Sequence, residues 1–509
     1  MPSVMFQGTA SNVGKSLIAA GVCRVMTQDG YNVVPFKPQN MSLNSFIDED
    51  GLEMGRAQVF QAEACNKKPH AYMNPVLLKP CGNHVSQIIV NGKSVGNMSS
   101  KDYQKYKEKL VPVLGNIFGE LEKSHDAVIM EGAGSPAEIN INSLDISNMK
   151  MAEIADSSVV LVADIDRGGV FASIVGTLQL LKEEDRKRVK GVIINKFRGK
   201  KEYFEEGVRM LEDIIKIPVL GVVPYSELKI DEEDGVSEKF RKKNSTYEED
   251  NVNIEIIKLP HMSNYTDFEV FEHIEKVNIR YVDIGERIGG FDSRGKYQKP
   301  DMLIIPGSKG TISDMKYLKE SGLYEEIKKY VSEKRLIAGI CGGYQILGNK
   351  ILDETGADGE SGYEEGFGFI EMDTVFSNEK TTVQVSGEFG NDTGYFKNLC
   401  GEKIEGYELH LGKKLSETEN SQKVAKYETV DGHILGTYCH GFFDNIQLTT
   451  GIINNIRERK NIGKIEVESR SLADIKIHEY DKLANIIREN VNIEKLYGII
   501  FEKGKNSTE

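Results

Sequence analysis

A chain of 509 residues, at roughly 100 to 200 residues per domain, is too long for a single small module and suggests two to four domains. Its 64 basic residues stand against 78 acidic ones, a net charge of −14 with the two signs interleaved, which excludes a broad cationic surface for nucleic acid or anionic lipid. No apolar run approaches the ~18 residues of a membrane span, no secretory leader is evident, and six scattered cysteines make no disulfide framework, so the expected setting is a reducing cytoplasm.

From residue 1 to about 230, short apolar runs alternate with longer amphipathic stretches. The runs fall at Ser3 to Phe6, Ala127 to Met130, Ser158 to Ala163, Gly191 to Asn195 and Pro218 to Val223, a strand–helix repetition that predicts an α/β unit with a mostly parallel sheet. Residues 231–250 are almost wholly polar and read as a linker. Strands at 252–259, 302–305, 336–340 and 434–438 then predict a second α/β unit over 251–450. The Gly-rich stretch from about 350 to 400 fits either a β excursion or a lid. Residues 451–509, apolar at a spacing near 3.6, are expected to be a helical extension packed on the second domain.

The first strand runs into Gly8-Thr9-Ala10-Ser11-Asn12-Val13-Gly14-Lys15-Ser16 and a helix-like segment. Small residues let backbone N–H groups converge on phosphate oxygens, Lys15 brings a point charge, and the Ser16 hydroxyl can ligate Mg²⁺. Gly8, Thr9, Gly14, Lys15 and Ser16 are therefore expected to bind a nucleotide. Glu131 ends a second strand ahead of Gly132-Ala133-Gly134, where a carboxylate can hold the metal with Ser16. Asn195 ends the GVIIN run and suits a purine edge. Gln39 and Asn40 in Lys37-Pro38-Gln39-Asn40-Met41-Ser42, and Asp166 and Arg167 in the DIDRGG loop, are candidates for a second substrate bearing carboxylates or amides.

In the second unit, strand LIAGI turns into Cys341-Gly342-Gly343, a G-x-C-x-G sequence and the thiol counterpart of a nucleophile elbow. Gly307 and Ser308, after strand MLII, with Gly342, are the expected oxyanion hole. His440, in Gly436-Thr437-Tyr438-Cys439-His440, is the expected base, and His410 is a runner-up better suited to positioning. A nucleotide site plus a Cys–His site suggests one reaction: the thiolate frees ammonia from glutamine, the other half phosphorylates a carboxylate, and ammonia displaces the phosphate to give an amide.

Thirteen blocks in order, GTASNVGKS, FKPQNMS, GRAQVFQAEA, MNPVLLKP, EGAGSPAEIN, LVADIDRGGVFA, NKFRG, GVVPY, LPHMSNYTDF, PGSKGTISD, GICGGYQILG, GYELH and GTYCHGFFDN, resemble the cobyric acid synthase family over nearly the whole chain. The resemblance implies a dethiobiotin-synthetase-like P-loop domain followed by a flavodoxin-like class I glutamine amidotransferase domain. It implies ATP- and glutamine-dependent amidation of the b, d, e and g carboxylates of (adenosyl)cobyrinic acid a,c-diamide, with ATP and Mg²⁺ as cofactors. The implied partners are small molecules, the corrinoid, glutamine and ATP, with room for a homodimer but not for nucleic acid or membrane. By the same match Cys341 is the nucleophile, His440 its base, and Asp145 the group that orients or activates the acceptor carboxylate. Ordinary class I glutaminases carry Pro-x-Glu after the histidine; here stands Gly-Phe-Phe-Asp, which leaves the third triad carboxylate unassigned and Asp444 as a candidate. A further metal carboxylate is not located among Gln39, Asn40 and Asp48. The rival readings are a cobyrinic acid a,c-diamide synthase and a P-loop scaffold ATPase with a degenerate glutaminase domain.

Overall fold

The computed structural model describes residues 2–81, 85–140, 145–230, 246–415, 423–466 and 470–501. Six apolar runs form one wholly parallel sheet: β1 (Ser3–Gly8), β2 (Val33–Phe36), β3 (Ala127–Glu131), β4 (Ser158–Asp164), β5 (Val189–Phe197) and β6 (Val219–Pro224), in the order β6-β5-β4-β1-β3-β2. Every residue of β1, β3 and β4 is buried, as expected of strands covered on both faces. Helix α1 (Lys15–Gln28) follows β1, and α2 (Arg56–Ala64) packs beside it. A four-stranded sheet (Gln39–Met41, Val76–Pro80, Val85–Val90, Lys93–Ser99) and a two-stranded one (Ser45–Ile47, Glu53–Gly55) extend this domain toward the second.

The second domain repeats the plan with β7 (Val252–Ile257), β8 (Val277–Val282), β9 (Met302–Ile305), β10 (Leu336–Ile340), β11 (Tyr427–Val430) and β12 (Ile434–Thr437), ordered β8-β7-β9-β10-β12-β11. All its pairs are parallel except the edge pair β11–β12. The short helix α3 (Gly342–Leu347) follows β10. The stretch from 350 to 400 is a β excursion: Lys350–Asp353, Gly362–Glu365 and Asp373–Glu388 join Lys403–Lys414 and Cys439–His440 in a five-stranded sheet. Of the expected linker, residues 231–245 lie outside the described residues, and Thr246–Tyr247 pairs in parallel with Gly290–Asp292.

The domains meet through backbone and ring contacts. Tyr407 Oη donates to Ser45 O at 2.7 Å, Ser45 N donates to Asn264 Oδ1 at 3.1 Å, and Tyr265 N donates to Asn44 Oδ1 at 3.2 Å. Phe46 packs edge-on against Tyr407 with centroids 5.1 Å apart.

The carboxyl-terminal segment corrects one expectation. Helix α4 (Ile446–Arg459) belongs to the second domain's core, but α5 (Leu472–Asn490) and α6 (Ile493–Phe501) pack on the first. A capping box of Ser471 and Asp474 starts α5, and its buried face (Tyr480, Leu483, Ala484, Ile487) shares a core with Val22, Cys23, Val25 and Met26 of α1. Gly21 sits at the crossing: a Cβ there would come 2.6 Å from Ile487 Cγ1, so glycine sets how closely the helices approach. Arg24–Asp481 at 2.8 Å and Arg488–Asp29 at 2.6 Å flank the seam, and Asn492 N donates to Leu220 O at 2.7 Å. Amphipathic spacing gives a helix its apolar face without naming the partner.

Ile487→Ala removes a fully buried side chain from this seam. It is expected to cost about 2–5 kcal/mol in the first domain's denaturant-unfolding transition, read by chemical denaturation.

Candidate active sites

The parallel register of β1 and β3 sets Phe6 beside Glu131, so the loop leaving β1 and the carboxylate ending β3 emerge at the same edge. Ser16 Oγ donates to Glu131 Oε1 at 2.7 Å, Lys37 Nζ donates to the same oxygen at 2.9 Å, and Gln61 Nε2, from α2, donates to Oε2 at 2.6 Å. Burial alone would raise the Glu131 pKa; the Lys37 and Lys15 charges and the Ser16 hydrogen bond outweigh it and hold the group below its usual range. Gly14 caps α1 at φ +89°, and any side chain there would collide with Asn195, whose Nδ2 donates to Val13 O at 2.9 Å. Lys15 is buried along the loop, with Nζ 3.3 Å from Ala10 O, and Thr9 N donates to Val162 O at 3.0 Å. Gly8 is hemmed in too, since a Cβ there would lie 2.7 Å from Ala10 O. A turn of backbone amides, one lysine and a hydroxyl–carboxylate pair fits a nucleotide polyphosphate with a divalent cation. Lys37 and Gln61 complete this cradle, and neither was singled out from sequence.

Other predicted residues surround it unevenly. Asn148 Nδ2 donates to Ala133 O at 2.7 Å and its Oδ1 abuts Gly132, which explains that glycine. Three residues earlier, Asp145 Oδ1 accepts from Ser147 N and Oγ at 3.1 and 2.9 Å, while its buried Oδ2 accepts no hydrogen bond among the described residues. Gln39 Oε1 accepts from Tyr103 Oη, and Asn40 Oδ1 accepts from Met41 N. Asp166 is engaged by Arg198 at 2.8 Å, and the Arg167 side chain is 61% exposed, 3.7 Å from Asp164.

In the second domain Ile305, Gly339 and Gly436 lie side by side across β9, β10 and β12, and Cys341 N donates to Thr437 O at 2.8 Å. Cys341 itself takes φ +50°, ψ −106°, the sharp strand-to-helix turn expected of the elbow. The glycines give that turn room: a Cβ on Gly343 would run into Ile305 O, one on Gly339 would lie 2.7 Å from Gly343, and one on Gly342 would lie 2.7 Å from Ser308 N. Gly342 therefore leaves the Ser308 amide uncovered beside the thiol. A Cβ on Gly307 would stand 3.5 Å from His440 Cε1, so Gly307, Ser308 and Gly342 gather where an oxyanion would form. Ser308 Oγ donates to Asp314 Oδ2 at 2.6 Å and accepts from Gly310 N at 3.0 Å, fixing the loop.

Cys341 and His440 line one cleft, where the thiol lies close enough to raise the imidazole's pKa, and Cys341 Sγ donates to Leu409 O at 3.6 Å. The carboxylate that meets His440 is Asp267 rather than the candidate Asp444. Asp267 Oδ2 lies 2.7 Å from His440 Nδ1, and Oδ1 accepts from Gly441 N at 3.0 Å. It sits on a 3₁₀ turn (Tyr265–His273) entered through Asn264 at φ +51°, inside the LPHMSNYTDF block just after β7. Burial alone would lower the His440 pKa; the Asp267 charge and hydrogen bond, with the contact to Cys341, push it up to about 10. Cys439, next to His440, is a different thiol: burial holds its pKa well above normal. His410 also faces the cleft, with Nε2 3.2 Å from Glu408 Oε2, Nδ1 2.8 Å from Gly412 O and its ring stacked on Tyr438. Both its nitrogens are engaged away from the thiol.

Comparisons with known proteins match a family model to each half of the chain. Residues 4–236 match the CobQ/CobB/MinD/ParA nucleotide binding domain, and residues 253–448 match the CobB/CobQ-like glutamine amidotransferase domain. A cobyric acid synthase of Alkaliphilus metalliredigens (strain QYMF) is 47% identical over 510 residues, covering 97% of this chain and 99% of the relative. Cobyric acid synthases of Clostridium botulinum strains Alaska E43 and ATCC 19397 are 47% and 48% identical, each covering 98% of this chain and 99% of the relative. The chain belongs to the cobyric acid synthase family. It is a glutamine-dependent carbon–nitrogen ligase with an amino-terminal nucleotide-binding domain and a carboxyl-terminal glutamine amidotransferase domain. Among the described residues no helix is long and apolar enough to cross a membrane.

Asp267→Asn is expected to slow glutamine hydrolysis by about 10²- to 10⁴-fold, measured as ammonia release, because the imidazole loses its orienting charge. The same variant reports on stability. A pKa raised on folding stabilises fully below the ordinary value of 6.5, and that contribution is lost as pH climbs through about 10. The urea midpoint is therefore expected to fall between those pH values in the parent chain and to fall less in Asp267→Asn.

Proposed function

We propose that the chain converts (adenosyl)cobyrinic acid a,c-diamide to (adenosyl)cobyric acid by amidating its b, d, e and g carboxylates, drawing nitrogen from glutamine and energy from ATP. The observation that carries this reading is one chain holding the Cys341–His440–Asp267 cleft and the Ser16–Glu131–Lys37 cradle, across a full-length likeness to relatives named cobyric acid synthase. The domain division is a synthase unit over 1–230 closed by helices α5 and α6, and a glutaminase unit over 251–450.

In the glutaminase unit, His440 takes the Cys341 proton, and the thiolate attacks the glutamine side-chain carbonyl. The Ser308 and Gly342 amides receive the oxyanion, and His440 returns its proton to the departing nitrogen. Asp267 keeps the ring oriented and stabilises the imidazolium while it holds that proton. Water then frees glutamate from the thioester.

In the synthase unit, Gly8, Thr9, Gly14 and Lys15 would hold the ATP phosphates, and Ser16 with Glu131 would hold Mg²⁺. ATP bound there would supply the phosphoryl group that makes the acceptor carboxylate an acyl phosphate, with ADP leaving, and ammonia would then displace phosphate to give the amide. Lys37 compensates the buried Glu131 charge, and Gln61 fixes the carboxylate's second oxygen. The unpartnered Asp145 Oδ2 suits orientation of the corrinoid acid. Asn195 acts through the loop it braces at Val13, and Gln39, Asn40, Asp166 and Arg167 line the approach for the corrinoid.

Cys341→Ala is expected to abolish glutamine-dependent amidation while synthesis with high ammonium salt persists; loss of both would contradict the division of labour. Lys15→Ala is expected to lower amidation with either nitrogen source by at least about 10²-fold. Mass spectrometry of the corrinoid product should count four acid-to-amide conversions, and turnover restricted to substrate lacking the a and c amides would favour the diamide synthase reading instead.

A further inference from the structure

The glutaminase cleft is not walled by its own domain alone. Beside Cys341 and His440 it is lined by Lys79, Lys309, Lys380 and Asp358, and Lys79 belongs to strand Val76–Pro80 of the synthase domain. Lys79 Nζ donates to Glu53 Oε1 at 2.9 Å, and Lys380 Nζ donates to Glu53 Oε2. The side chains of Lys79, Glu53 and Lys380 are 5%, 2% and 13% exposed. Lys309 faces Asp358 at 3.5 Å, and Asp358 is the one carboxylate among the lining residues. Among the described residues three ammonium groups are thus met by two carboxylates, which leaves a net positive charge in a buried wall next to Cys341.

Such a wall calls for an anion. Two neighbouring groups register the strain: Glu53 is pulled down to about 2 by Lys380 and Lys79 against the effect of burial, and Lys380 is driven down to about 8 by burial, with Glu53 opposing and Lys79 adding to the fall. The substrate of this cleft, on the function proposed above, is an amino acid with its reactive amide at the thiol and a carboxylate and an ammonium at its other end. We infer that Lys79 of the synthase domain, with Lys380, binds the α-carboxylate of glutamine, and that Asp358 faces its α-ammonium, so that the glutamine site is completed only across the domain boundary. Asp358 has room for this: its Oδ2 accepts from Thr311 N and Oγ1 at 2.8 and 2.7 Å, while among the described residues Oδ1 has only the long contact to Lys309. The same arrangement explains why an ion cluster, costly to bury, stands in this interface instead of apolar packing.

Lys79→Met tests the inference, since it leaves Glu53 and Lys380 as a neutral pair and spares the fold an unpaired carboxylate. Ammonia release is measured from L-glutamine and from 4-aminobutanamide, the same molecule without its α-carboxylate. In the parent chain glutamine is expected to be preferred. In Lys79→Met, kcat/KM for glutamine should fall roughly tenfold to a hundredfold, chiefly through KM, with little change for 4-aminobutanamide. The ratio between two substrates on one preparation does not depend on how much of it is folded. Lys79→Arg, which keeps the charge, should retain most of the preference. An unchanged KM for glutamine, or an equal loss on both substrates, would overturn the inference. A parent chain that releases no ammonia from glutamine would instead overturn the function on which it rests.

Discussion

Cys341 and His440 are distant in the chain, and what joins them is the parallel pairing of β10 with β12. With Gly339 opposite Gly436 and Ile340 opposite Thr437, the residues that follow leave the sheet at the same height. Because side chains alternate along a strand, a slip of one residue would turn each neighbour to the opposite face and separate thiol from imidazole. The elbow depends on the same pairing. Gly343 clears the Ile305 carbonyl only because β9 and β10 are in register at Ile305 and Gly339. The first sheet obeys the same constraint, with Phe6 beside Glu131 and Asp164 beside Asn195.

Given that scaffold, both sites are organised by buried charge. Three carboxylates taken out of water are met by donors on both oxygens: Glu131 by Ser16, Lys37 and Gln61, Asp267 by His440 and Gly441, Glu53 by Lys79 and Lys380. Satisfying both oxygens offsets the desolvation that burial imposes and fixes the group's orientation. It also keeps the partner cation charged or in place, as the upward displacement of the His440 pKa records.

The sequence made the strands legible because fully buried parallel strands are continuous apolar runs, and it made the elbow and phosphate loop legible because glycines mark where backbone approaches backbone. Glu131, Ser16, Cys341 and His440 sit at strand ends or helix starts, positions that a strand pattern locates. Asp267 does not. It lies on an irregular 3₁₀ turn, 173 residues before the histidine it orients, and its one visible signal is that its block follows β7 at the catalytic edge. Lys79 and Lys380 look in sequence like ordinary strand lysines, and only the meeting of two domains buries them. Helix α5 illustrates the same gap: its periodicity declares an apolar face, but the choice of α1 as partner rests on Gly21 and on the Arg24–Asp481 and Arg488–Asp29 pairs.

One stretch of chain shows how far the domains share their parts. Glu53 and Gln61 belong to the continuous segment formed by strand Glu53–Gly55 and helix α2, with no loop between them. At one end Glu53 holds the Lys380 side chain of the glutaminase domain; at the other Gln61 holds the metal-site candidate Glu131. The adjoining strand Ser45–Ile47 pairs with Glu53–Gly55 and supplies the Ser45 carbonyl that receives Tyr407, whose ring stacks on His440. Both candidate sites are therefore braced by side-chain contacts to one short stretch of the synthase domain. On the function proposed above, a chain that releases a small nucleophile in one domain and consumes it in the other has reason to build the two sites on common elements, since separate supports would let their geometries drift apart.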